Sequence, residues 1–169
     1  MNYLNVFKNP YYSWIYPKGW IKNCKMFFRS FKFAWQRITR GYADCDTWDL
    51  DTFYLYMFRD TLNHLADHHY GYPGDEEFPE DEDWTKYLKN MADKFDQANE
   101  AEARFPHPMS DKWCEWLHEH PTSIPWSNDD PNPYNQAMFD EEATNEKLRQ
   151  AAFKEAWDMM GHVFHGLWD

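Results

Sequence analysis

Asp60, His64 and His68 follow one another at intervals of four residues, a spacing that stacks side chains along one edge of a helix. A carboxylate and two neutral imidazoles in that row are a partial ligand set for a divalent metal, as a metal-assisted hydrolase would need. A further ligand would have to come from elsewhere. Asp44, Asp46, Asp49, His162 and His165 are unspecific choices, and H-E-x-x-H is absent. The plainer reading places these histidines at the rim of a buried face, hydrogen-bonded to backbone or aspartate. That reading is adopted, with no metal or cofactor assigned, and the Asp60/His64/His68 hydrolase-like site is kept as an alternative.

The densest charge run is Asp75, Glu76, Glu77, Glu80, Asp81, Glu82 and Asp83, seven acids in nine residues. Asp81, Glu82 and Asp83 suit the positive end of a following helix, and the other acids can simply be solvated. The functional reading is a surface that presents carboxylates as a nucleic acid presents phosphates, and so competes for the Lys and Arg of a basic groove.

Lys18, Lys22, Lys25, Arg29 and Lys32 form the opposite pattern, a basic row beside Ile21, Cys24, Phe27, Phe28, Phe31, Trp35 and Ile38. Such a helix suits nucleic acid or an anionic bilayer. The competing expectation, which is preferred, packs the apolar stripe into the core and turns the basic face to solvent or to the acidic remainder of the chain. Other chemistry finds little footing. There is no glycine-rich phosphate loop, and Cys114 with His118 or His120 on one short helix is a poor nucleophile and base pair. No catalytic residue is assigned, and the chain reads more as a binder than as an enzyme.

These residues need helices to position them. The spacing predicts a first helix over about 18–39 that stops at Gly41. A second begins near Asp46 or Thr47 as cap, buries Leu50, Phe53, Tyr54, Met57, Phe58, Leu62 and Leu65, and ends before Gly71 and Pro73. A third opens at Trp84 and extends to about Arg104, and a short fourth is capped by Ser110 and broken at Pro121. After a proline-rich loop, a last helix over about 140–166 uses Leu148, Ala152, Ala156, Met159, Val163 and Leu167 as its stripe. Phe153, Trp157, Met160 and Phe164 lie beside that stripe. The predicted fold is all-α: one irregular bundle of about five helices with long Pro-rich loops, a basic first helix and an acidic body over 41–169.

Composition fits this picture. In 169 residues, 43% hydrophobic and 27% charged, there is enough apolar surface for a core without disulfides or metal. Three scattered cysteines suggest a reducing compartment. No apolar leader is apparent, and no run approaches the ~20 apolar residues of a membrane span; the expectation is a cytoplasmic protein. The first 40 residues hold eight basic residues and no acid, which leaves nine basic against 29 acidic residues in the remainder. That asymmetry bears on partners, not on fold.

The segment Trp35–Asp51, which reads WQRITRGYADCDTWDLD, and the terminus Gly166, Leu167, Trp168, Asp169 resemble uncharacterised small proteins of tailed bacteriophages and prophages. Cys45 stands where those proteins usually have a polar residue. The resemblance implies a phage origin and a bacterial cytoplasm, and it transfers no catalytic residue. Small accessory phage proteins often bind and disable host machinery. The reading that follows is an acidic interaction protein that occludes the basic groove of a bacterial partner, such as a nucleic-acid-dependent defence effector of the CRISPR kind. A second alternative is a nucleic-acid or small-ligand binder that uses the basic helix and exposed Trp and Tyr; Trp113, Trp116 and Trp126 are the fallback contact surface for the interaction protein should the acidic run be only a solvated turn.

Overall fold

A computed structural model describes residues 20–121 and 132–167, except for the side chains of 20–26. Lys18, the side chains of Lys22 and Lys25, Trp126 with most of the proline-rich loop, Trp168 and Asp169 therefore lie outside the described residues. Five α-helices run in order: α1 Trp20–Arg40, α2 Leu50–His68, α3 Asp81–Ala98, α4 Pro108–Glu119 and α5 Asn135–Val163. Single 3₁₀ turns cover Asp46–Asp49, Glu100–Glu102 and Phe164–Gly166. The fold is all-α, with no strand among the described residues. The chain divides into two compact units, Met1–Phe58 and Arg59–Asp169, with the division falling inside α2.

In the first unit α1 stops where the sequence predicts. Gly41 takes φ +81° and its N–H donates to the Arg37 carbonyl at 2.9 Å, the left-handed closure that only glycine adopts without strain. The chain then folds back so that Phe33, Ala43 and Cys45 pack together. Arg37 grips Asp46 with two bonds, Nη2 to Oδ1 at 2.5 Å and Nε to Oδ2 at 3.0 Å. The Ala43 N–H donates to Asp46 Oδ2 at 2.8 Å. Beside this pair, Asp44 accepts from Lys32, Gln36 and Arg40.

Two expectations for this region are corrected. Neither Asp46 nor Thr47 caps α2: the Asp46 carboxylate is taken by Arg37 and Ala43, and the Thr47 hydroxyl donates to the Asp44 carbonyl. The stripe Phe27, Phe28, Phe31, Trp35, Ile38 does not enter the core, since all five residues are exposed; Phe33 and Ala34 are buried instead. Along α2 the buried positions are Leu55, Tyr56, Leu62 and Ala66, whereas Leu50 and Tyr54 are exposed.

The second unit is built on α3 against α5. Trp84, Leu88, Met91, Ala92 and Phe95 fall at helical spacing and are all buried, and α3 packs on α5. The Tyr87 hydroxyl donates to the Met159 carbonyl at 3.0 Å, and Lys94 meets Glu155 at 2.8 Å. The buried face of α5 is Asn145, Arg149, Ala152, Ala156, Met160 and Val163. Of the expected stripe, Ala152, Ala156 and Val163 are buried and Leu148 is exposed; of the residues beside it Met160 is buried, whereas Phe153, Trp157 and Phe164 are exposed, and Arg149 is buried with Glu142 and Glu146 as partners.

α3 ends sooner than predicted. Asn99 is buried and its Oδ1 accepts from the Ala101 N–H at 3.0 Å, which turns the chain out of the helix. Asp96 is held by both Arg59 and Arg104. α4 begins at Pro108, two residues before the predicted cap Ser110. Its free amides are satisfied from another helix: the Glu141 carboxylate of α5 accepts from the N–H of Met109 and of Ser110, each at 3.0 Å. A capping acceptor contributes about 1 kcal/mol, and an anion at a helix start adds to it. Glu141→Ala is therefore expected to lower stability by about 1–2 kcal/mol, with Glu141→Gln retaining part of it, as urea melts of the three proteins would show.

Candidate binding surface in the acidic loop

The acidic run lies between α2 and α3, and Asp81, Glu82 and Asp83 do form the first turn of α3, where their charge opposes the dipole. Of the remaining acids, Asp75 and Glu77 also make contacts within the protein. Asp75 Oδ1 accepts from the N–H of Glu77 at 3.0 Å and of Phe78 at 2.8 Å, a tight aspartate turn. That turn drives Phe78 inward to 5% exposure. Its ring meets Trp84 and Tyr87 edge-on, with centroids 5.0 Å away from each.

Two histidines hold the loop from either side. His162 Nε2 on α5 lies 2.6 Å from Glu77 Oε2. His69 Nε2 lies 2.8 Å from Asp81 Oδ1, and its Nδ1 lies 3.0 Å from the Leu65 carbonyl. Both ring nitrogens of His69 thus lie against acceptors, one on α2 and one at the start of α3. Glu82 and Asp83 sit 3.6 and 3.7 Å from Lys86, long for ion pairs and exposed. Glu76 and Glu80 are exposed and form no ion pair with a described residue. Tyr70, 99% exposed, and Tyr72 precede the acids on the same loop. The outcome is a pinned loop that presents carboxylates and tyrosine rings outward.

The signal for this geometry was faint. Phe78 is the one large apolar residue inside the acidic run, two positions before the N-cap Glu80 and one outside the usual staple position. His162 is 85 residues from Glu77, beyond any local pattern.

The other candidates resolve differently. Asp60 turns its Oδ1 to the adjacent Arg59 Nε at 2.8 Å, and its Oδ2 is buried without a partner. His64 and His68 stack on each other, centroids 4.3 Å apart, with His68 Nδ1 on the His64 carbonyl. The predicted edge therefore does not converge. Among the described residues no group of three or more His, Cys, Asp or Glu side chains is arranged to hold a metal.

Of the basic row, Arg29 lies over the Phe33 ring at 5.6 Å and Lys32 meets Asp44 at 3.1 Å. Arg40, Gln36 and Lys32 hold the Asp44 carboxyl well below the usual carboxylate range. Cys45 is buried, and burial together with the neighbouring Asp46 carboxylate pushes its thiol up, away from nucleophilic chemistry. His120 stacks on Trp116, while the Trp113 indole N–H is held by Asn135 at 2.7 Å.

Among the described residues no helix is long and apolar enough to cross a membrane. No protein-family model matches the chain, and neither a curated protein nor a solved structure matches it.

Proposed function

We propose that this protein acts by binding a basic surface of another protein through the loop that carries Tyr70, Tyr72 and the acids Asp75 to Asp83. The supporting observation is the burial of Phe78 beneath the run, between the aspartate turn at Asp75 and the two histidine contacts. A loop already fixed in one shape loses little conformational entropy on binding, so its carboxylates act as an ordered array. Glu76 and Glu80 face solvent, where they meet Lys or Arg without first breaking an internal pair, and Glu82 gives up only a long, exposed contact with Lys86. Exposed tyrosines beside them supply the low-entropy apolar contact typical of binding loops.

The resemblance of Trp35–Asp51 to small phage proteins gives the setting: a phage product in a bacterial cell. The target class is a nucleic-acid-dependent defence effector whose basic groove these carboxylates occupy in place of phosphates. The test is capture from a bacterial lysate by the tagged full chain and by its Glu76→Lys/Glu80→Lys/Glu82→Lys variant. A host protein with a basic groove, retained by the first and lost with the second, is expected. Co-purifying nucleic acid, or a protein held equally by both, would overturn the reading.

A further inference from the structure

The apolar stripe that leaves the core carries a second inference, independent of the acidic loop. Phe28 is 72% exposed and Trp35 66%, and Phe27, Phe31 and Ile38 are each more than half exposed. Phe27 packs edge-on against Phe28 and Phe31, centroids 6.1 and 5.0 Å apart, which joins these three rings into one cluster. At roughly 100° per residue, positions 27, 38, 31, 35 and 28 fall within an arc of roughly 100°. The basic positions 32, 25, 29 and 22 fall in a separate arc of roughly 80° next to it. α1 holds six basic residues and no acid. The first acid of the chain is Asp44, and even with Asp44, Asp46, Asp49 and Asp51 counted, residues 1–58 carry eight basic against four acidic side chains.

This charge pattern selects among occupants. Arg37 is buried on Asp46, and Lys32 and Arg40 share the single carboxylate of Asp44; a second copy of α1 brings no acid of its own to meet the cations that remain. A nucleic acid is gripped by cations interleaved with stacking rings, whereas here rings and cations lie on different arcs. Segregation of an aromatic face from a basic one, with no acid on the helix itself, is what the surface of an anionic bilayer requires. The rings enter the boundary between head groups and acyl chains while the Lys and Arg stems reach up to the phosphates.

We propose that α1 is a peripheral anchor that lies in the surface of an anionic membrane on its Phe27, Phe28, Phe31, Trp35, Ile38 face. Residues 59–169 are strongly acidic, with 25 acidic against nine basic residues. At physiological ionic strength their repulsion is screened beyond about 8 Å, so only carboxylates close to the bilayer oppose the helix. Binding is reversible, because one short amphipathic helix with a basic cluster is a modest anchor.

The test is co-sedimentation of the full chain with vesicles of phosphatidylcholine alone and of phosphatidylcholine mixed with phosphatidylglycerol. A companion measurement uses the Phe28→Ser/Phe31→Ser/Trp35→Ser variant, whose fold is checked by circular dichroism. Partition into the anionic vesicles is expected to exceed that into the neutral ones by about tenfold or more, and to fall by a similar factor in the variant. Absence of the parent protein from the anionic pellet would overturn the proposal. So would equal binding by the folded variant, a light-scattering dimer that the variant abolishes without any vesicle binding, or duplex DNA retained in a gel where vesicles are not.

Discussion

Asp46→Asn is expected to unfold the turn after α1, at a cost of about 3–5 kcal/mol to the structure around it. Arg37 and Asp46 are 9% and 4% exposed and joined by two bonds, with the Ala43 amide as a third donor to the carboxylate. Asparagine keeps the shape and one acceptor oxygen, but leaves the Arg37 charge buried without its counter-ion. The cost of breaking such a pair lies mostly in that stranded charge, so Arg37→Met/Asp46→Leu, which removes both charges, should cost much less.

The pair also sets a pH dependence. Burial alone would raise the Asp46 carboxyl, yet the Arg37 hydrogen bonds, the Ala43 amide and the Arg37 charge outweigh it and hold the group below its ordinary value. A carboxylate depressed in the folded state contributes stability that is present above its unfolded pKa of about 3.9 and is lost as pH falls through the lower folded value. Hydrogen exchange at the amides of residues 33–46 reads the effect locally. Protection in the parent should fall with acid below about pH 4, whereas Asp46→Asn should begin low and lose that dependence. Equal protection in the two proteins near neutral pH would show that the pair does not hold the turn.

Helix ends and helix faces differ in how far the sequence reveals them. The end of α1 is local chemistry: Gly41 supplies the left-handed residue, and the break is visible in the sequence because no other residue takes that conformation as cheaply. The burying face is not local. α5 has apolar residues on most of its circumference, so periodicity allows more than one stripe. The face that packs is chosen by what α3 offers and by polar groups that can be satisfied inside. Ala152 and Ala156 lie on it, while Arg149 is buried because Glu142 and Glu146 stand within reach. Leu148 and Phe153, larger and more apolar, stay outside.

The same limit governs the sites. The intervals of Asp60, His64 and His68 are those of metal ligands, but spacing cannot show that Arg59, a direct neighbour, takes the carboxylate. For the acidic run the sequence shows the charge and its position before α3. It does not show the inward turn of Phe78, which depends on Trp84 and Tyr87, or the His162 contact from the far end of the chain. Both decide whether the run is a solvated tether or an ordered surface.

If the loop is that ordered surface, reversing Glu76, Glu80 and Glu82 to Lys should slow association with a basic partner by about tenfold or more at low salt. These side chains are exposed, so the carboxylates act chiefly through the field that guides encounter, and that field is screened over ~8 Å at physiological ionic strength. Raising salt should accordingly slow association of the parent more than it speeds dissociation, and should leave the reversed variant nearly insensitive. The substitutions sit away from Phe78 and the histidine contacts, where surface changes typically alter stability by about 0.5 kcal/mol or less, so the helical signal should persist. Phe78→Ala gives the complementary result. It keeps every charge but removes the buried ring, so the loop must be ordered at binding; the loss should appear mainly in the dissociation rate, with the salt dependence of association retained. Stopped-flow kinetics of the folded variants separate the two effects. If the reversals leave the association rate unchanged at every salt concentration, the carboxylates do not steer a partner, and the contact surface lies elsewhere on the molecule.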